Sequence, residues 1–156
     1  TELARAYLLI HPQDPLTLYY RTEALLATGY TEEAMNLLLM RMDEESSAVL
    51  WYTLARAYLE YGAEEEALIA LETALRGHTR GDDTLLLASD DPLHDLSKLL
   101  GEIYLETGRC EEAVMRLELL VTPYPDLADL VEEAHRCPTP APTVTPWLPQ
   151  DWATGP

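Results

Sequence analysis

Three times along this chain a glycine is followed, after two variable residues, by Glu-Glu-Ala and then, four positions on, by leucine. The segments are GYTEEAMNLLL from Gly29, GAEEEALIALE from Gly62 and GRCEEAVMRLE from Gly108. The first two glycines lie 33 residues apart and the last two 46. Glycine supplies a position that tolerates positive φ and lets the chain turn. The paired glutamates suit the first turn of a helix, where open N–H groups favour negative charge. Alanine and leucine four apart then share one helical face. A unit of this length has an apolar face that it cannot bury alone, so its copies must stack.

The middle unit displays both of its helices. Trp51, Leu54, Ala55 and Tyr58 fall at i, i+3, i+4 and i+7 ahead of Gly62, and Ala67, Leu71, Ala74 and Leu75 form the stripe behind it. At these residues the chain resembles the tetratricopeptide repeat (TPR) family. That signature places Trp, Leu, Gly and Tyr in a first helix, Ala and Phe in a second, and Pro after it. The third unit matches through Leu100, Gly101, Tyr104, Ala113, Leu117 and Pro125, with Ser97 at the Trp position. The first matches through Leu18, Leu25, Ala34 and Leu38, with Arg21 and Thr22 where the family has Leu and Gly. Pro12 falls where an earlier repeat would close. The resemblance implies an all-α fold, a TPR-like superhelix built as an α-solenoid of antiparallel helix pairs. Such arrays share a shape and not a chemistry.

The chain divides at Cys137. Residues 1–137 read as the array: a half repeat over 1–12, repeats at about 14–46, 47–80 and 92–125, and a C-terminal capping helix over 126–137. Asp14-Pro15 and Asp91-Pro92 are helix starts, with Asp as N-cap and Pro in the first turn. Ser46 or Ser47 is expected to cap the helix that reaches Tyr61, and Asp126 the last one. Relative to a period of about 34 residues, roughly twelve extra lie between Gly77 and His94. Within them Leu85, Leu86 and Leu87 fit a short helical turn that plugs an apolar edge. Residues 138–156 form a Pro-rich tail, with Pro138, Pro140, Pro142, Pro146, Pro149 and Pro156 favouring an extended course. Trp147, Leu148 and Trp152 would anchor this tail if it docks.

The formal charge is −18, and Lys98 is the only lysine. That balance disfavours nucleic acid, whose binding depends on neutralising phosphates, and anionic membrane surfaces. No apolar run approaches a membrane span, so no membrane insertion is expected. The acidity reads either as a solvated coat or as steering of a basic partner. Cys110 and Cys137 read as two thiols and not as a disulfide framework. The expected location is cytoplasmic, and the chain, which opens inside a helix, is expected to be a fragment of a longer protein.

Chemistry is sparse. The nearest approach to a catalytic or metal cluster is Asp90-Asp91-Pro92-Leu93-His94-Asp95, where helix-start preferences already account for the residues. His135 and Cys137 lack a second pair at zinc spacing. There is no Gly-rich phosphate loop and no nucleophile elbow. No enzymatic activity, cofactor or metal is expected.

The resemblance implies instead a concave groove lined by first helices. Set to the turn glycines, the stripe facing it carries Leu16, Tyr19, Glu23 and Leu26, then Val49, Tyr52, Arg56 and Leu59, then Asp95, Lys98, Glu102 and Leu105. Tyr19 and Tyr52 share a register and are either interface anchors or packing between neighbouring first helices. Some family members clamp a peptide carboxylate through a Lys/Asn/Arg cluster. Here Tyr19, Glu23, Thr53 and Lys98 hold those positions, and only Lys98 fits. The expected function is non-catalytic recognition of a protein or peptide with apolar and basic residues. One alternative is a structural module that self-associates as a homo-oligomer, its tail docking in cis or on a neighbour. Another is a regulatory fragment of a larger enzyme.

Overall fold

The computed structural model describes residues 15–137. The half repeat over 1–12, the Asp14 cap and the tail with Trp147, Leu148 and Trp152 lie outside the described residues. Among the described residues seven α-helices follow in order: α1 Pro15–Ala27, α2 Thr31–Arg41, α3 Ala48–Tyr61, α4 Glu64–Thr79, α5 Pro92–Glu106, α6 Cys110–Leu117 and α7 Ala128–Arg136. Short 3-10 turns sit at Thr84–Leu87, Glu118–Leu120 and Pro125–Leu127, and no strand occurs among the described residues. Consecutive helices pack in antiparallel pairs, and the pairs stack into an α-solenoid. None of these helices is long and apolar enough to cross a membrane.

Each pair is closed by the same device. Gly29, Gly62 and Gly108 adopt φ of 86°, 90° and 77°. The residue after each donates its N–H to a carbonyl five positions back: Tyr30 to Leu25 at 2.8 Å, Ala63 to Tyr58 at 2.8 Å and Arg109 to Tyr104 at 2.7 Å. This pattern satisfies carbonyls that the ending helix leaves open. Beyond the turn, Ala34, Ala67 and Ala113, and then Leu38, Leu71 and Leu117, are fully buried. The repeated alanine and leucine are therefore the residues that each second helix lays against the core.

Gly101 sits where α5 packs against the Leu117 side chain of α6. A Cβ on Gly101 would lie 2.5 Å from Leu117 Cδ1, so any larger residue there would force the Leu117 side chain of α6 to shift. The matching positions hold Ala55 and Thr22, both fully buried. Thr22 departs from the family pattern without a packing defect. Its hydroxyl donates within its own helix to the Leu18 carbonyl at 2.8 Å and the Tyr19 carbonyl at 2.9 Å. The main core gathers Leu71, Leu75, Leu85, Leu96, Leu100 and Tyr104, and a second cluster gathers Tyr19, Leu38, Val49, Leu50 and Leu54.

Three expectations are corrected. Ser47 takes the N-cap position of α3, but its hydroxyl makes no capping bond and has no partner. Asp126 does not cap α7, which grows out of the 3-10 turn at Pro125–Leu127. The two cysteines are not free thiols. Cys110 opens α6, Cys137 follows α7, and they form a disulfide with Cα atoms 6.2 Å apart across 27 residues. It ties the final helix back onto the third pair. In the chain-entropy account a loop of this length contributes about 3–4 kcal/mol.

Reduction should therefore lower the thermal midpoint by several degrees and release α7 first. Melting curves with and without reductant, beside a Cys110→Ser/Cys137→Ser variant, check this. Unchanged midpoints would mean that the cap is held without the bond.

Candidate functional site

The segment between α4 and α5 decides which part of the first-helix face is open. Asp82 reaches back to the start of α3: the Ala48 N–H donates to its Oδ2 at 2.8 Å. Thr84 hydroxyl accepts the Val49 N–H at 3.1 Å, and donates in turn to Asp82 Oδ1 at 2.6 Å. These groups satisfy N–H donors that a helix start leaves open. Burial pushes the Asp82 carboxyl up, but hydrogen bonds from Thr84 and Ala48 outweigh it and hold the pKa below the ordinary 3.8. Held this way, Leu85 is fully buried in the main core, while Leu86 and Leu87 stay half exposed. Ala88 packs against the cluster that contains Tyr19 and Val49.

As a result the stripe divides. Tyr19, Leu26 and Val49 are only 6%, 7% and 2% exposed. They pack the array, and Tyr19 hydroxyl lies 3.5 Å from the Leu87 carbonyl. Thr53 is also buried, its hydroxyl donating to the Val49 carbonyl at 2.8 Å. Tyr52, Arg56 and Leu59 on α3, Glu23 on α1, and Glu102 and Leu105 on α5 are half-buried, while Leu16, Asp95 and Lys98 are exposed.

Three polar members of the stripe, Glu23, Tyr52 and Arg56, meet one another. Arg56 bonds to Glu23 across α1 and α3 and lies 5.8 Å from the Tyr52 ring centroid, a cation over an aromatic face. Burial raises the Tyr52 pKa, opposed by Arg56 and reinforced by Asp95 and Glu23, so the phenol stays neutral. Asp95 accepts a short hydrogen bond from Ser89. With Arg56 and Glu23 paired, the open stripe presents apolar and aromatic surface beside Asp95, Glu102 and Lys98.

A histidine cluster sits at the start of α5. His94 places Nδ1 3.2 Å from Asp95 Oδ1 and Nε2 2.6 Å from Asp126 Oδ2. Both partners are carboxylates, which accept, so the protonated ring that donates from both nitrogens fits best. Tyr124 lies against His94 with centroids 4.9 Å apart and donates to Asp91 at 3.0 Å. Asp126, expected as a helix cap, is instead the link between α5 and the segment before α7. Among the described residues no group of three His, Cys, Asp or Glu is placed to hold a metal ion.

The bond to Asp126 raises the His94 pKa above 6.5, opposed by desolvation and helped by Asp95. A raised value means that this contact contributes fully below about pH 6.5 and is lost as pH rises through the folded-state midpoint. An NMR titration should place His94 above 6.5, with Asp126→Asn lowering it. A midpoint at or below 6.5 in the unsubstituted chain would show that the bridge does not form.

The arrangement as a whole is that of a helical repeat array with a mixed apolar and acidic face. No protein-family model matches the chain, and no curated protein does. Solved structures do. A crystal structure of MamA, a TPR-like protein, aligns with a TM-score of 0.59 at 20% identity, covering 85% of this chain and 78% of that one. A second crystal structure of MamA protein aligns at 0.58 and 21% identity, covering 85% and 75%. The likeness is one of fold: a TPR-like helical solenoid.

Proposed function

We propose that this chain is a non-catalytic interaction scaffold that receives an extended or helical peptide on its first-helix face. The observation that carries this reading is the position of Tyr52, Leu59 and Leu105 in the open stripe, beside Asp95 and Glu102 and with Lys98 at its edge. Aromatic and aliphatic anchors next to carboxylates suit a segment with apolar side chains and some Lys or Arg. The net charge of −18 adds long-range attraction for such a segment. TPR-like neighbours support a scaffold role in kind. Tyr19, Val49 and Leu26 contribute by shaping the face from beneath. The Cys110–Cys137 bond favours an oxidising compartment over the cytoplasm, because reducing compartments keep such pairs open.

Selection of random 15-residue peptides on the chain should yield sequences with spaced apolar residues and net positive charge. Their binding should weaken roughly tenfold or more in Tyr52→Ala, the loss of one buried anchor. Added salt should mainly slow association. Selected peptides that bind Tyr52→Ala and the unsubstituted chain equally would move the site off this face.

A further inference from the structure

The stack also leaves apolar side chains uncovered on its second-helix side. α6 and the 3-10 turn that follows it hold Met115 and Leu119 in solvent, 79% and 86% exposed and one helical turn apart. Exposed apolar residues grouped in this way mark a contact surface. Met115 also lines an open surface depression of about 640 Å³, together with Val114, Ala134, His135, Cys110 and Cys137.

The course of the chain says what can cover this surface. Cys137 stands at the edge of the depression, and its bond to Cys110 holds it beside the start of α6. Residues 138–156 continue from that point, and Trp147 comes ten positions after Cys137. Ten residues in an extended proline-rich course span roughly 30 Å. Met115 is five residues along α6 from Cys110, about 7.5 Å of helix. The segment is long enough to bring its indole onto α6 with length to spare.

Its composition selects this side over the other. Residues 138–156 contain no Lys or Arg and a single acid, Asp151. They lack the basic residues that the carboxylates of the first-helix face would attract. Glu111, Glu112 and Glu118 flank Met115 in the sequence and are exposed. A nearly uncharged segment approaches them with little repulsion, and its indole N–H and threonine hydroxyls can donate to carboxylates. A methionine sulfur against an aromatic ring is a favourable contact. Because the segment is tethered at Cys137, a contact too weak to hold a free peptide is sufficient.

From these observations we propose that residues 138–156 dock in cis on the outer side of α6, with Trp147 seated against Met115 in the depression beside Cys137. The surface is on the second-helix side and is independent of the first-helix face.

Methionine-methyl NMR of the full chain tests this. The Met115 methyl is expected upfield of the position of a solvated methionine, because it lies over an indole ring. Trp147→Ala, which touches none of the described helices, should return it to that position. Met40, 80% exposed on α2, should not respond. Met115→Ala, a change at an exposed site, should in turn shift the Trp147 indole N–H while leaving the melting midpoint unchanged. A Met115 methyl at the solvated position in the unsubstituted chain would overturn the proposal. So would no response to Trp147→Ala, an equal response at Met40, or an upfield shift that is lost on dilution, the mark of docking on a second copy.

Discussion

The first turn of α3 lies in the middle of the array, and its open N–H groups must find acceptors there. The Ser47 carbonyl accepts from Leu50 at 3.0 Å, but the Ser47 hydroxyl is unpartnered and leaves the N–H groups of Ala48 and Val49 open. Asp82 and Thr84 meet the demand from 34 and 35 residues away. Much of the local architecture follows from that requirement. The chain leaving α4 has to run back across the start of α3. On that path Leu85 drops into the main core and Ala88 covers Tyr19 and Val49. The segment that breaks the repeat spacing thereby joins the repeats on either side of it.

At the other end of the array the problem is different. A stacked array must finish with a helix whose inner face is covered and whose outer face is polar. α7 does this with Leu127 before it and Ala134 within it fully or nearly buried, and with acids on its outer side. A nine-residue helix has little face with which to hold itself in place. Two further ties supply the hold: the Cys110–Cys137 bond and the His94–Asp126 contact. One depends on redox state and the other on protonation, so the cap is the part of the array most sensitive to its surroundings.

The sequence shows the repeat well because the repeat is written locally. A turn glycine, two glutamates, an alanine and a leucine each answer a constraint within a few residues, and the three copies report it in the same register. What it hid were pairings across distance. Asp82 and Thr84 bond to the start of α3, and nothing near them in the sequence points to Ala48 or Val49. The two cysteines read as unrelated because the antiparallel placement of α6 and α7 brings together the start of one and the end of the other. Tyr19 and Tyr52 share a register but not a surroundings: the segment after α4 covers one and spares the other. Ser97 stands where the repeat has Trp, and its complete burial is not written in the local pattern.

The first-helix face is therefore narrower than its register implies, bounded at one end by the Asp82 segment and centred on α3. Its character, apolar and aromatic with carboxylates around it, comes from residues the repeat leaves free to vary. Amide hydrogen exchange on Asp82→Ala is the most direct test of this account. Loss of protection at Ala48 to Leu50, together with exposure of Tyr19, is the predicted result. Protection unchanged at the start of α3 would contradict it, and would mean that the repeats stack without help from the segment between them.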